Sequence, residues 1–321
     1  MLDLKDAKVM VTGGTSMVGK AIVKNLLELG AEVNVMTHDS CDLLNMDETF
    51  DYVRLHKPEY IIHAAGWNGG IGWNKRFPAT IYYRTATMAL NIYNAISLVG
   101  SVKKSVGILA SCSYPDLPVE AFQEKDLWSG KPNSTVECHG LAKRVIADFG
   151  RQVSKQYLNV QCVSCILNNC YGPYDSFHPD KTKVVGALIR RFVEAKYDNA
   201  PEVVCWGTGA PLREFVYAPD AGKAIVKCLQ RYDDVNYPIN IGSGEEISIR
   251  ELTELIAEIV QYRGRISWDT DKPDGQLRKR LDRFMFNYLF PNMQFTDIKT
   301  GLKQTIDWYI ANKDLADSKG F

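Results

Sequence analysis

The chain of 321 residues has no apolar run approaching the ~18 residues that a membrane-spanning helix needs, so no membrane partner is expected. Its first residues, Met1-Leu2-Asp3-Leu4-Lys5-Asp6, are charged where a secretory leader would be apolar, and a cytoplasmic protein is expected. Net charge is also missing, because 38 Lys and Arg balance 38 Asp and Glu. That balance argues against nucleic acid as a general partner and leaves room only for a local basic pocket. The eight cysteines form no disulfide or zinc spacing. Cys162 and Cys165 make one C-x-x-C pair, but it lies in an apolar, strand-like run with no second pair, so buried reduced thiols and no metal are expected. There is no internal repeat and no low-complexity segment. At 45% hydrophobic and 24% charged, the chain suits a soluble globular protein with a full core.

Against those absences stands a clear alternation. Lys8–Thr12 is a short apolar run that ends in Gly13-Gly14-Thr15-Ser16-Met17-Val18-Gly19; an amphipathic segment from Lys20 to Leu29 stops at Gly30, and Glu32–Met36 is a second strand. Strand, glycine turn, helix and strand make a βαβ unit, hence a right-handed crossover and a parallel sheet. The pattern continues through strands at Tyr60–Ala65, Ser105–Ala110 and Val160–Leu167, with helices over about Tyr82–Leu98 and His139–Gln156. This predicts an α/β, Rossmann-type, doubly wound parallel sheet.

From Asn169 the texture changes. Pro and Gly punctuate Tyr171-Gly172-Pro173, Trp206-Gly207-Thr208-Gly209 and Ile241-Gly242-Ser243-Gly244, and short strands such as Glu202–Cys205 alternate with helices such as Ile249–Val260. We therefore divide the chain into an NAD(P)-binding domain, 1–168, and a smaller C-terminal α/β substrate-binding lobe, 169–321, interleaved with the main sheet.

A glycine turn between strand and helix lets a pyrophosphate approach the backbone at the positive helix end. The three-residue spacing gives Gly13, Ser16 and Gly19, with a hydroxymethyl at the middle position, and Met17 and Val18 between. After the second strand, Thr37 and His38 favour NADP over NAD, since Asp39 falls late for a ribose diol. Asp42 suits the adenine edge, and Ala64 and Ala65 suit a close-packed wall beside the nicotinamide.

Several further motifs are more specific. They include Gly69-Gly70-Ile71-Gly72 with Asn74, Ser111-Cys112-Ser113-Tyr114-Pro115, and Asn169-Cys170-Tyr171-Gly172-Pro173-Tyr174-Asp175. Others are Ala187–Phe192, Trp206–Gly209 leading to Arg213-Glu214-Phe215, and Lys272-Pro273-Asp274-Gly275 leading to Lys279 and Leu281-Asp282. With these, the chain resembles the GDP-L-fucose synthase branch of the extended short-chain dehydrogenase/reductases, from about Lys8 to Trp308. The resemblance implies a GDP-linked sugar substrate and an NAD(P) cofactor. Arg191, Arg213 and Lys279 match positions that contact the GDP portion, Trp206 a wall near the base or sugar, and Asn169, Val184 and Leu188 the same cleft. Guanidinium forks suit the oxygens of a diphosphate. The family also implies a homodimer through a four-helix interface, here from the segments near 82–98 and 139–156.

The catalytic half departs from the family pattern. The resemblance implies a tyrosine, a lysine four residues later, and a serine at a strand end. Lys143 is present, but His139 stands for the phenol and Ala110 for the serine. Ser111 is adjacent, yet neighbouring strand residues face opposite sides, so it substitutes only if the strand end kinks. For epimerisation the resemblance implies a cysteine and a histidine; Cys112 is present, and Lys183 stands where the histidine should be. His139 as imidazolium could donate a proton to a carbonyl oxygen, although Lys143 nearby would lower its pKa. His63 and His178 read as structural. Two readings follow: a GDP-sugar epimerase or reductase with an altered catalytic set of Cys112, His139, Lys143 and Lys183, or a redox-inactive sugar-nucleotide binder serving as a partner subunit.

Overall fold

The computed structural model describes residues 2–272 and 274–318. Met1, Pro273 of the Lys272–Gly275 motif, and residues 319–321 lie outside them. The first half runs β1 (Lys8–Thr12), α1 (Met17–Glu28), β2 (Glu32–Met36), α2 (Met46–His56), β3 (Tyr60–His63), α3 (Ile71–Arg76), α4 (Pro78–Val99), β4 (Lys104–Ala110), α5 (Glu137–Gln156) and β5 (Gln161–Leu167). The second half runs β6 (Asn169–Tyr171), α6 (Val184–Tyr197), β7 (Glu202–Trp206), β8 (Leu212–Tyr217), α7 (Ala218–Arg231), β9 (Ile239–Ile241), β10 (Glu246–Ser248), α8 (Ile249–Val260), β11 (Arg265–Asp269) and β12 (Arg278–Lys279). It closes with α9 (Phe284–Leu289), α10 (Ile298–Ala311) and α11 (Lys313–Ser318).

Six strands form one parallel sheet in the order β2-β1-β3-β4-β5-β9. Its central strands are mostly apolar because both faces are covered, while the edge strand β2 keeps Glu32 exposed and Asn34 half-buried, and alternation sorts residues to one side or the other. Val9 and Val11 pack with Ile22 and Leu26 of α1 and with Ile225 and Leu229 of α7. Met10 faces the other way, into a cluster with Ile92 and Ile96 of α4 and Ile146 and Val153 of α5. The same rule separates Cys162 from Cys165: the first lies in the α4/α5 layer and the second in the α1/α7 layer, so the sheet stands between their thiols. All eight cysteines are free.

A third core, built from α6, α8, α10, β7 and β8, lies under the C-terminal lobe. There β8 pairs with β10, β12 and β6, and β7 pairs with β11. The halves interleave, because β9 returns from the second half to the edge of the main sheet beside β5.

Helix boundaries moved where local chemistry outweighs hydrophobic spacing. α4 begins at Pro78, not near Tyr82, since proline suits a first helical turn where its missing N–H costs nothing. α2 was not expected from the apolar pattern. It is set by Asn45, whose Oδ1 accepts from Asp47 and Glu48 N–H, and by those two acids in its first turn. Among the described residues no helix is long and apolar enough to cross a membrane.

Candidate active site

The strand order reverses beside β1, whose two neighbours, β2 and β3, are reached in opposite directions. That is where open α/β sheets form a crevice at their carboxyl ends. Gly13 leaves β1 at φ 67°, and a Cβ there would lie 2.8 Å from the Ala65 nitrogen. A Cβ on Gly19 would overlap the Gly13 carbonyl, so the turn closes only with glycine at both ends. Ser16 is the N-cap of α1: its Oγ accepts from Gly19 N at 3.1 Å and donates to Gly13 O at 2.8 Å. The hydroxymethyl thus folds back onto the turn, at the capping value of about 1 kcal/mol. Met17 and Val18 are half-buried in the first turn, which contains no acidic residue to compensate the positive helix end. This cradle fits a dinucleotide pyrophosphate.

Beyond β2, Thr37 and Ser40 tie a turn that leaves His38 and Asp39 exposed. The Asp42 carboxylate accepts from Leu44 N at 3.0 Å, and its own N–H goes to Glu48.

The strand end after β4 does kink. Ala110 is its last residue, and Ser111–Ser113 form one turn of 3-10 helix in which Ser111 is buried. The turn presses against the start of α5, where a Cβ on Gly140 would overlap the Cys112 carbonyl and reach Pro132 at 3.0 Å. This close approach carries Cys112 to His139, and Lys143 follows one helical turn on, on the same face. Lys143 Nζ donates to Ile108 O at 2.9 Å and to Ala65 O at 3.3 Å, which ties the amine to the wall beside the glycine turn. His139 Nε2 lies 2.9 Å from Asn68 Nδ2, while Nδ1 is buried with no hydrogen-bond partner.

The electrostatics show which groups share a site. Burial pushes the Cys112 thiol up, opposed by the cations Lys279, Lys183 and Lys143. Burial, then Lys143 and Lys183, hold His139 well below the usual imidazole range. Burial lowers Lys143 to about 8; Lys183 acts in the same direction and Cys112 against it. His139 is therefore neutral at physiological pH, which removes the imidazolium donor considered from the sequence. Burial also lowers Lys279 and Arg213.

The structure thus brings together Cys112, His139, Lys143, Lys183 and Lys279, with Arg213 beside Lys279. Arg191 and Trp206 sit further along the lobe: Arg191 Nη1 donates to Val204 O at 2.8 Å, and Trp206 is 65% exposed beneath Lys272. Val184 is exposed at the start of α6, but Leu188, one turn on, is buried in the lobe core. The Asn169 amide is spent on Asn168 Oδ1 and Glu214 O. His63 is buried with Nδ1 2.9 Å from Thr12 Oγ1, and burial holds its pKa at about 3. His178 accepts from Asp180 N.

A family model described as the NAD dependent epimerase/dehydratase family matches residues 9–242. The chain belongs to that family. It is 37% identical over 309 residues to a probable GDP-L-fucose synthase of Oryza sativa, covering 96% of this chain and 93% of that one. Among solved structures, a GDP-L-fucose synthetase from Naegleria fowleri bound to NADP superposes with a TM-score of 0.90 at 26% identity, covering 98% and 97% of the two chains. A GDP-mannoheptose C4 reductase from Campylobacter jejuni with NADP bound gives 0.85 at 25% identity, covering 97% and 100%. The chain is thus a GDP-L-fucose-synthase-like extended short-chain dehydrogenase/reductase, within a family of NAD(P)-dependent enzymes that act on GDP-sugars.

Two residues in contact with these groups were given no role by the sequence reading. Asn68 lies 71 positions from the imidazole it touches, and no spacing rule connects them. Glu214 is fully buried and accepts from Asn168 Nδ2 at 2.5 Å, Gly244 N at 2.6 Å and Leu281 N at 3.0 Å. It stands next to Arg213 and two residues from Lys279 through Leu281, so it braces both cations. A charged residue alternating into an apolar strand was the available signal.

Proposed function

We propose that the protein binds a GDP-linked 4-keto sugar together with NADPH and modifies that sugar by 4-keto reduction, 3,5-epimerisation or both. The observation that carries this reading is the cluster of Cys112, His139, Lys143, Lys183 and Lys279, with His139 and Lys143 buried at its base, Cys112 and Lys279 half-buried and Lys183 exposed at its mouth, set between a pyrophosphate cradle and the lobe bearing Arg213. NADPH supplies a hydride when bound. Gly13, Ser16, Met17, Val18 and Gly19 would hold its pyrophosphate, His38 and Asp42 its adenosine end, and Ala64, Ala65 and Lys143 the nicotinamide half. In the sugar pocket, Cys112 and Lys183 handle protons at carbon, while His139 and Lys143 face the sugar oxygen. Val184, Arg191, Trp206, Arg213 and Lys279 form the GDP-sugar surface, with Leu188 packed beneath it in the lobe core and the Asn169 amide held by Asn168 and Glu214.

On this reading residues 1–168 hold the cofactor and 169–321 the sugar nucleotide. Two copies pair through α4 and α5; α4 exposes Tyr83 at 62% and Leu98 at 57%. Eight free thiols suit a cytoplasmic setting.

The test is NADPH oxidation with GDP-4-keto-6-deoxymannose, run in deuterated water. Cofactor turnover supports reduction, and deuterium in the sugar without turnover supports epimerisation alone. Neither signal would overturn the enzymatic reading in favour of the second one, a redox-inactive sugar-nucleotide binder. That alternative is favoured by one specific pairing: the methyl of Ala110 and a neutral His139 stand where the resemblance implies two hydroxyl groups.

A further inference from the structure

We propose that Asn68 is a positioning residue whose amide locks His139 as a neutral imidazole with its proton on Nδ1, making the ring a fixed hydrogen-bond donor and not a Brønsted acid. The proposal depends on the reading above only for the claim that His139 faces a substrate. An amide nitrogen has protons to give and no lone pair to offer, so with Asn68 Nδ2 at 2.9 Å, Nε2 must be the acceptor. A neutral imidazole keeps one proton, and Nδ1 is then its only place. That nitrogen is buried and, among the described residues, has no hydrogen-bond partner, so it is the one donor the ring retains.

The surroundings act in the same direction. His139 is 4% exposed. The charged groups that face it are Lys143 from its own helix and Lys183 from the start of α6; both are cations, and both oppose a second ring proton. Protonating Nε2 would also break the bond to Asn68. Among the described residues no carboxylate acts on the ring. Asn68 is held by a loop that is itself pinned: Gly70 N donates to Lys181 O at 3.1 Å, and Asn74 Nδ2 donates to the carbonyls of Gly69 and Gly70 at 2.9 Å each. The same two loops that bring Lys183 to the site therefore fix the tautomer of His139.

The test reads the ring directly, by nitrogen-15 NMR of the full-length protein labelled at its five histidines, with His139→Gln assigning the signal. In the wild type, Nδ1 is expected protonated and Nε2 unprotonated by at least tenfold in population, without titration between about pH 5.5 and 8.5. Asn68→Asp supplies an acceptor instead of a donor, so the proton moves to Nε2 and a titration enters that window. Asn68→Leu removes the lock, and the tenfold preference is lost. Asn68 is exposed in its loop, and circular dichroism checks that both variants fold. A wild-type ring protonated on Nε2, or an Asn68→Asp spectrum identical to the wild type, overturns the proposal. The measurement needs neither substrate nor cofactor. A protein that shows the Nδ1–H tautomer but no turnover would sink the enzymatic reading and leave the Asn68 lock standing.

Discussion

Lys143 offers the most direct measurement of what burying a cation in the site costs the protein. Its residue is 6% exposed, and burial brings its ammonium down from an ordinary 10.5 to about 8. In the unfolded chain the amine returns to about 10.4. Between those values the unfolded state binds a proton that the native state lacks, so stability rises with pH across the window. Below about pH 8 both states are protonated and the full penalty is present. At about 1.4 kcal/mol per pH unit, the gap corresponds to about 3 kcal/mol. Replacing Lys143 with Met removes that penalty and, separately, the bonds to Ile108 and Ala65, whose loss is a pH-independent offset. The stability of the wild type minus that of Lys143→Met should therefore climb by about 3 kcal/mol from pH 7.5 to 10.5. With roughly 2 °C per kcal/mol for a chain of this size, the difference in Tm should change by about 6 °C. Taking the difference cancels the buried thiols and phenols, such as Cys170 at about 12, whose raised pKa values lower stability over the same range. A flat difference would show that the ammonium is solvated in the native state and would refute the electrostatic account of the site.

Three other outcomes follow from named contacts. Glu214→Ala strands the N–H donors of Asn168, Gly244 and Leu281, each costing about 1–3 kcal/mol when left buried and unpaired, so a fall in Tm of roughly 6 °C or more is expected, with at least tenfold weaker GDP binding by calorimetry. Gly140→Ala drives a methyl into the Cys112 carbonyl, at about 1–3 kcal/mol of overpacking, and should change the alkylation rate of Cys112 by displacing its turn. The pair His139→Tyr with Ala110→Ser should raise NADPH-dependent reduction by about tenfold or more, a part of the roughly 10²–10⁴-fold that a positioned general acid supplies; no gain would place the block at cofactor binding or substrate geometry.

The sheet was legible because its information is local. Val9, Met10 and Val11 alternate between two layers, and glycine at 13 and 19 marks a turn that admits nothing larger. The same alternation, applied to Cys162 and Cys165, explains why an apparent chelating pair is split by the sheet. What sequence did not disclose depends on contacts between distant segments. The Asn68 bond to His139 and the three-way brace at Glu214 each join loops brought together only by folding. Burial is the other missing quantity: His139 reads as a group titrating near ~6.5 until its two lysine neighbours and its desolvation are known. α2 was missed for a smaller reason, since its start is signalled by an N-cap and its interior carries little apolar periodicity.

The depressed cations imply one more property of the cleft. Lys143, Lys279 and Arg213 all sit below their ordinary values because burial opposes charge, and His139 stays neutral for the same reason. Only Asp274, acting on Arg213, and Asp116, acting on Lys279, oppose that trend as carboxylates. An anionic ligand supplies what the site lacks, and each cation it approaches is returned toward its reference pKa. Binding of a GDP-linked sugar, which reaches from Arg213 and Lys279 to Lys143, should therefore take up protons at pH 8, where Lys143 is partly neutral, and take up none at about pH 6.5, where that amine is already charged. Calorimetry in buffers of different ionisation enthalpy measures that uptake directly. Its size should also fall with added salt, which screens the phosphates. Proton release at pH 8, or equal exchange at both pH values, would mean that the sugar nucleotide does not reach Lys143, and the placement of the sugar pocket around His139 and Lys143 would have to be abandoned.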